Sequence, residues 1–292
     1  MRLWKTYLQP KSVEEALAYL QSSAGRGAVI AGGTDLILDL AQDRHSPVNV
    51  LVDVSEIDEM RQIRREGDQI FLGAAVTHAE IVSNPILRTH AACLVEACGL
   101  IGGPQVRGIA TIGGNVARAL PAGDGSIALL GLDAYAQIAG ANGRVWRPLL
   151  ELFAGPGETS LNRSSEVLVG FHIHARHPGE GSAFGRIMRP QGVAIAILNM
   201  AAWMQQSQDG LVREARIAIG PAGPRPFRAR NTETGLVAKR LGNDTLREAR
   251  KALLEEVNVR TSPHRATKEY RRHLAGILLN QTLKAAQARA RE

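Results

Sequence analysis

Residues 29–38 read VIAGGTDLIL and place Gly32, Gly33, Thr34 and Asp35 between two apolar runs. The pattern predicts a short buried strand over 28–31 and a helix over 35–41. A strand that turns through glycines into a helix brings backbone N–H groups to one point, where an anion can approach closely. The stretch therefore predicts a phosphate-binding loop, with an ordinary glycine turn as the alternative. It fits neither G-x-G-x-x-G nor the Walker A pattern G-x-x-x-x-G-K-S/T.

A second glycine-rich stretch, IGGPQVRGIATIGGNV, occupies residues 101–116. Each of the two stretches carries a hydroxyl group and a carboxylate or carboxamide beside its glycines. Two such loops can converge on one ligand that has a pyrophosphate and a long polar chain. The pair therefore favours a nucleotide site over two unrelated turns.

Local signals around these loops predict alternating helices and strands. Ser12 with Glu15, and Thr77 with Glu80, form capping boxes that each start a helix. Strands are predicted over 49–54 and 69–73, and a buried helix over 90–99. The N-terminal part is therefore expected to be rich in α/β structure.

The sequence pattern changes near residue 176. Asp209-Gly210 lies between the apolar runs 192–205 and 211–219 and is typical of a β-hairpin. Two amphipathic helices are predicted after it, over 245–257 and 265–288. The C-terminal part is therefore expected to form a smaller α+β domain with an antiparallel sheet and helices.

Length and composition are those of an ordinary globular protein, with 292 residues, 45% hydrophobic and 22% charged. No run of about 18 apolar residues and no signal-like segment is present, so we expect a cytoplasmic protein without a membrane span. Cys93 and Cys98 lie in an apolar stretch at a spacing that suits neither a metal site nor a disulfide framework. They are expected to be buried thiols, and this chain is expected to hold no iron–sulfur cluster or zinc.

The net charge of +7 is concentrated after residue 210, where 18 Lys and Arg occur with 8 Asp and Glu. This region lacks clustered aromatic residues and the Cys/His pattern of a zinc finger, so no nucleic acid partner is expected. A solvated face or a protein interface is the simpler explanation. Solvated or strand-edge side chains, rather than metal ligands, are expected for His45, His78, His90, His172 and His174.

The two loops resemble those of a known family. AGGTDL at 31–36 and GPQVRGIATIGGNV at 103–116 are similar to the FAD-binding subunit, or middle domain, of the molybdenum hydroxylases, which include xanthine dehydrogenase and carbon monoxide dehydrogenase. Further matching segments follow in the family's order: PAGD at 121–124, FAGPGETSL at 153–161, ARIAIGPAGPRPFRA at 215–229 and YRRHLAGILL at 270–279. Several motifs in one order are far more specific than either loop alone.

The resemblance implies an α+β fold with two domains. A PCMH-type FAD-binding domain would span 1–176, with parts at about 1–57 and 58–176. A C-terminal domain like that of carbon monoxide dehydrogenase flavoproteins would span 177–292.

The resemblance also implies which residues contact FAD. The main chain of 31–36 would surround the pyrophosphate, with side-chain contacts from Thr34 and Asp35, and 111–115 would form the second cofactor loop. Asp124 would accept hydrogen bonds from sugar or ribityl hydroxyls, which agrees with the repulsion between a carboxylate and phosphate. Ile101 and Leu161 correspond to apolar positions near the cofactor rings. The expected cofactor-binding residues are Ala31, Gly32, Gly33, Thr34, Asp35, Leu36, Ile101, Thr111, Gly114, Asn115, Asp124 and Leu161.

Some positions depart from the family pattern. Arg118, Ala119 and Leu120 stand where relatives often have small or polar residues, so the contacts there are expected to differ. Arg186 and Arg189 lie where many relatives place basic residues close to the flavin, with ordinary surface arginines as the alternative.

For function, the resemblance implies an oxidoreductase subunit without catalytic side chains or metal ligands of its own. Substrate would be hydroxylated at a molybdopterin cofactor on a large subunit, and electrons would pass through two 2Fe-2S clusters on a small subunit to FAD on this chain. The chain would then reduce NAD+ or another acceptor. A dimer of heterotrimers is expected, with the basic C-terminal domain, including Arg271 and Arg272, as a docking surface for the partner subunits.

Two alternatives remain open at this stage. A stand-alone FAD-dependent oxidase or reductase would need its own substrate pocket with an acid or base. A non-catalytic basic module that binds nucleic acid would be colourless and would bind with a steep salt dependence.

Overall fold

The computed structural model describes residues 3–189, 195–263 and 265–292. Its helices are α1 (Val13–Ser22), α2 (Leu36–Ala41), α3 (His78–Ser83), α4 (Pro85–His90), α5 (Ala92–Gly99), α6 (Pro104–Arg107), α7 (Ile112–Ala117), α8 (Asp124–Gly131), α9 (Arg230–Leu236), α10 (Asn243–Glu256) and α11 (Lys268–Ala290). Its strands are β1 (Thr6–Leu8), β2 (Gly27–Ile30), β3 (Val50–Asp53), β4 (Ile63–Glu66), β5 (Gln69–Gly73), β6 (Tyr135–Gly140), β7 (Gly143–Pro148), β8 (Phe153–Gly155), β9 (Glu158–Thr159), β10 (Val167–His174), β11 (Glu180–Ile187), β12 (Leu198–Gln206), β13 (Val212–Gly220) and β14 (Phe227–Arg228). The fold is mixed helix and sheet, as expected.

The first sheet is small and parallel and leads into the first glycine loop. Its strand order is β1-β3-β2, and both outer strands run parallel to β3. Helix α1 begins as predicted, since Ser12 Oγ accepts a hydrogen bond from Glu15 N at 3.1 Å. The Glu15 carboxylate, however, accepts from Lys11 N at 2.7 Å rather than from Ser12 N.

The second sheet is antiparallel and packs on helices α1, α4 and α7. Its strand order is β4-β5-β10-β6-β7, and its buried side chains join those of the helices in the main hydrophobic core. The capping box of Thr77 and Glu80 is complete, as predicted. The buried helix predicted over 90–99 is present as α5, but it begins two residues later, because Ala91 (φ −137°, ψ 50°) separates it from an earlier helix, α4, which Asn84 caps.

The third sheet, β11-β12-β13-β14, is antiparallel and is crossed by the long helix α11. The predicted hairpin is present, with Gly210 at φ +79° between β12 and β13. The apolar run expected from Gly192 begins in residues 190–194, outside the described part of the chain. This sheet also packs on the rest of the molecule, since Ala201, Trp203 and Ala218 belong to the main core.

Candidate functional site

The two glycine loops lie in direct contact. A Cβ atom built on Gly32 would stand 2.1 Å from Ile109 O and 2.9 Å from Ala110 Cα. No side chain fits at that distance, so this approach requires glycine at position 32. Gly32 and Ile109 are far apart in the sequence. Their contact joins the two glycine loops into one surface.

The first loop, residues 31–36, presents backbone N–H groups that the described part of the protein does not use. Gly33 has φ +66°, a conformation that glycine adopts without strain. Helix α2 begins at Leu36 with no side chain capping it. Within the described residues, no backbone hydrogen bond is donated by any N–H group of 32–36, and none of these residues is fully buried. Open N–H donors in a row are the groups that bind phosphate oxygens.

In the second loop, residues 111–115, the backbone donors of 112–115 are occupied. Ile112 N donates to Val76 O at 3.0 Å and Gly113 N to Ala74 O at 2.8 Å, while Gly114 N donates to the Thr111 hydroxyl at 3.1 Å. A Cβ atom on Gly113 would lie 2.6 Å from both Cβ and O of Ala74. This loop is therefore fixed against the segment that precedes α3. Gly113, its first glycine, allows the close packing on Ala74.

Asn115 supplies a side-chain donor from the second loop. Its Oδ1 accepts from Ser126 N at 3.0 Å and from Ser126 Oγ at 3.1 Å. Because a backbone N–H can only donate, the amide oxygen must face Ser126. The amide nitrogen then points away from Ser126, and none of the described residues hydrogen-bonds it.

An ion pair holds the two loop regions together. Arg118, which follows α7, places Nη2 2.9 Å from Oδ2 of Asp39 on α2, and the Asp39 side chain is only 8% exposed. Arg44 Nε lies 3.3 Å from the other oxygen of the same carboxylate. Arg118, which departs from the family pattern, thus connects α2, which begins at the end of the first loop, with the end of α7, whose first turn contains residues 112–115.

Asp124 lies at the start of α8 and is 6% exposed. Its carboxylate forms an ion pair with Arg186 of β11 and accepts from Asn199 Nδ2 of β12 at 2.6 Å. Burial raises the pKa of this carboxyl, and Arg186 acts in the opposite direction. The interpretation of Arg186 as an ordinary surface arginine is wrong, since its side chain is 5% exposed, whereas Arg189 is exposed.

The apolar candidates lie partly buried beside the loops. Ile101 packs on the main core, and Arg107 Nη1 fixes its carbonyl at 3.1 Å and that of Gly102 at 2.8 Å. Leu161, also against the main core, follows the ribbon of β8 and β9. This ribbon is attached behind the second loop by Gly157 N, which donates to Ala119 O at 3.0 Å.

His78 is a residue that sequence reasoning misjudged. It was expected to be solvated or at a strand edge, but it is 1% exposed on α3, and its backbone N–H donates to Ala110 O at 3.0 Å. Burial, with a smaller contribution from Arg107, lowers the pKa of its imidazole to about 4. The signal for its burial was the i, i+3 spacing from the apolar Ile81 on a capped helix.

The cysteines are confirmed as buried free thiols. Cys93 and Cys98 are fully buried, and burial raises the pKa of Cys93 to about 12. Within residues 3–189, 195–263 and 265–292, no three His, Cys, Asp or Glu side chains are grouped as metal ligands. The same ranges contain no helix with the length and apolarity that crossing a membrane requires.

Comparison with known families covers almost the whole chain. The family described as "FAD binding domain in molybdopterin dehydrogenase" matches residues 3–174, and "CO dehydrogenase flavoprotein C-terminal domain" matches residues 182–286. These two matches agree with the resemblance found from the loops and the later motifs.

Individual proteins are similar over the same length. The carbon monoxide dehydrogenase medium chain of Hydrogenophaga pseudoflava is 31% identical over 287 residues, 97% of each chain. A putative xanthine dehydrogenase FAD-binding subunit of Escherichia coli is 30% identical over 290 residues, 98% of this chain and 97% of the other. A solved structure of carbon monoxide dehydrogenase from Hydrogenophaga pseudoflava contains a chain that superposes with a TM-score of 0.91 at 30% identity, over 98% of both chains.

Proposed function

Because this chain belongs to the FAD-binding subunits of the molybdenum hydroxylase family, we propose that it transfers electrons within a heterotrimeric enzyme. Electrons would enter from 2Fe-2S clusters on a small subunit and leave from FAD on this chain to NAD+ or another acceptor. Substrate would be oxidised at a molybdopterin cofactor on a large subunit. We also propose that two of these heterotrimers form a dimer and that the enzyme is located in the cytoplasm.

The observation that carries the proposal is the contact between Gly32 and Ile109, which brings the open N–H donors of 32–36 against the segment that leads into the second loop. The residues fit FAD because its pyrophosphate needs several donors, and the open N–H groups of 32–36 supply them. Bound FAD accepts electrons singly and releases them as a pair, which suits it to join one-electron clusters to a two-electron acceptor. The work of this chain is to bind and orient the cofactor.

We assign the contacts to the residues named from the sequence. The N–H groups of 32–36 donate to the pyrophosphate, and the amide nitrogen of Asn115 donates beside them. Asp124 can still accept from a hydroxyl while it holds Arg186 and Asn199, because a carboxylate offers about four acceptor positions. Ile101 and Leu161 supply apolar contact for the rings.

The test is to purify the chain alone and together with the large and small subunits that we expect to be encoded beside it. We expect a yellow protein with one FAD per chain and a co-purifying complex in which substrate reduces the flavin. A colourless chain that binds DNA with a steep salt dependence would contradict the proposal. Turnover of a small substrate by the isolated chain would favour the stand-alone flavoenzyme instead.

A further inference from the structure

Arg271 on α11 has no counterion among the described residues. The sequence suggested that Arg271 is a surface charge, and this is wrong, because Arg271 is only 3% exposed. Its Nε is buried without a hydrogen-bond partner, and the side chain takes part in none of the ion pairs of the described chain. Its backbone N–H donates to Thr267 O at 3.1 Å, so the residue is fixed in the first turns of the helix.

A buried, unpaired arginine requires an explanation. Lysine or histidine can lose its proton when it is buried, but a guanidinium stays charged in proteins. A buried charge without a partner destabilises the folded state, since its hydration is lost and nothing replaces it. An anion against Arg271 would replace the hydration that the buried part of the guanidinium has lost.

The groups around Arg271 add positive charge. Arg260 and Arg265 lie close enough that, after burial itself, they lower its pKa. Both are exposed, and neither forms an ion pair with a described residue. Glu269 precedes Arg271 by two helical positions and is exposed, and side chains at i and i+2 do not face each other.

The chain before α11 is folded back onto the start of the helix. Lys268 N donates to Thr261 Oγ1 at 3.0 Å, Ser262 N donates to Ala266 O at 2.9 Å, and Tyr270 N donates to Thr267 Oγ1 at 3.2 Å. Helical side chains lean towards the N-terminus of their helix, so Arg271 leans towards this segment. The fold thus gathers Arg260, Arg265 and Arg271 at one place.

We propose that Arg271, with Arg260 and Arg265, forms an oxyanion-binding site that takes a phosphate or a carboxylate. The planar guanidinium of Arg271 offers paired N–H donors that match two oxygens of either group. The exposed Arg260 and Arg265, in the segment before α11, contact the same anion. This site lies in the C-terminal part and is independent of the FAD loops.

The test uses the full FAD-loaded chain in sodium chloride, sodium phosphate or sodium acetate at equal pH and ionic strength. We expect phosphate or acetate to raise the Tm of the wild type saturably, by about 2–4 °C relative to chloride. Arg271→Met should abolish this rise, and in chloride alone it should unfold at the same or a higher temperature than the wild type. Arg272→Met, the neighbouring cation, should keep the anion response.

The salts also separate the two sources of the anion. A larger rise with phosphate assigns the site to phosphate, and a larger rise with acetate assigns it to a carboxylate, such as an acidic side chain of a partner. Equal Tm values of the wild type in all three salts, or an unchanged anion response in Arg271→Met, would overturn the proposal.

A second variant covers the case in which Arg271→Met does not fold. Arg260→Gln combined with Arg265→Gln changes only exposed side chains. Calorimetric titration with phosphate and with acetate should give at least about tenfold weaker binding to this variant than to the wild type, in keeping with the loss of more than one charged contact. Equal affinity of both proteins would contradict the site.

Discussion

The first and second glycine loops contain the same kinds of residues and use them differently. In residues 31–36 the N–H groups have no partner within the described chain, whereas in 111–115 those of Ile112, Gly113 and Gly114 are all bonded. Gly32 allows one loop to touch the other, and Gly113 allows its own loop to pack on Ala74. A glycine pair alone therefore does not identify a phosphate loop. What identifies it is that its N–H groups are not already hydrogen-bonded within the chain.

The largest effect is expected from Gly32→Ala. The new Cβ would overlap Ile109 O, so the loops must separate and the N–H donors lose their alignment. Loss of two charge-assisted hydrogen bonds, each about 1.5–3 kcal/mol, predicts a Kd for FAD raised by about 100-fold or more. Fluorescence titration of the apoprotein with FAD measures it. Gly235→Ala, on α9 with no heavy atom within 4 Å, is the matched control, and a wild-type Kd for Gly32→Ala would refute the first loop's role.

Gly113→Ala should act on stability first. Its Cβ would overlap Ala74, and overpacking of this kind typically destabilises by about 1–3 kcal/mol. Urea unfolding of the apoprotein should show this loss. Gly108→Ala, whose Cβ would make only an ordinary contact at 3.6 Å, should change the free energy of unfolding by less than about 1 kcal/mol. Equal losses in the two variants would mean that packing on Ala74 does not fix the second loop.

Acid should also destabilise the structure around the second loop, because neutral His78 is buried there and its backbone N–H donates to Ala110 O. The pKa of His78 is about 4 in the folded protein and the ordinary value of histidine is 6.5, so the unfolded chain binds a proton first as the pH falls. The contribution of neutral His78 to the free energy of unfolding is therefore intact above pH 6.5 and is lost as the pH falls towards 4. Between pH 7 and 5 this loss amounts to about 2 kcal/mol. Urea unfolding at several pH values should show a flatter profile for His78→Gln than for the wild type, while the exposed His273→Gln should retain the wild-type slope.

The smallest effect is expected from Arg118→Met, which removes the ion pair between the loop regions. Asp39 keeps Arg44, so the free energy of unfolding should fall by only about 1 kcal/mol. The Kd for FAD should rise about three- to fivefold, because the loops are held less firmly. Arg44→Met contacts the same carboxylate without joining the loops and should leave the Kd unchanged. If both variants weaken FAD binding equally, the bridge has no special role.

Sequence predicted the elements whose signals are local. Ser12, the Thr77–Glu80 box and the Asp209-Gly210 turn act over four residues or fewer, and each lies where it was expected. The interruption at Ala91 was missed, because no side chain caps α5 there to mark its start. Capping and turns are decided by neighbours along the chain, and sequence reasoning sees those neighbours.

Contacts between distant segments could not be predicted in the same way. The two loops were recognised from their residues, but the contact of Gly32 with Ile109 and the pair of Arg118 with Asp39 depend on how the sheets pack. Charged residues were misjudged most, since Arg186 and Arg271 are both buried. A charged side chain suggests exposure unless its tertiary surroundings are known.

The pairing of Asp124 with Arg186 and Asn199 bears on how the gene can be divided. A truncated product that ends near residue 176 would retain both glycine loops but lose both partners of this carboxylate. Gly131 of α8 would also lose Ala201, against which it packs so closely that a Cβ would lie 2.7 Å from that methyl group. Chimaeras that exchange the flavin-binding half between related enzymes therefore need to carry β11 and β12 with it.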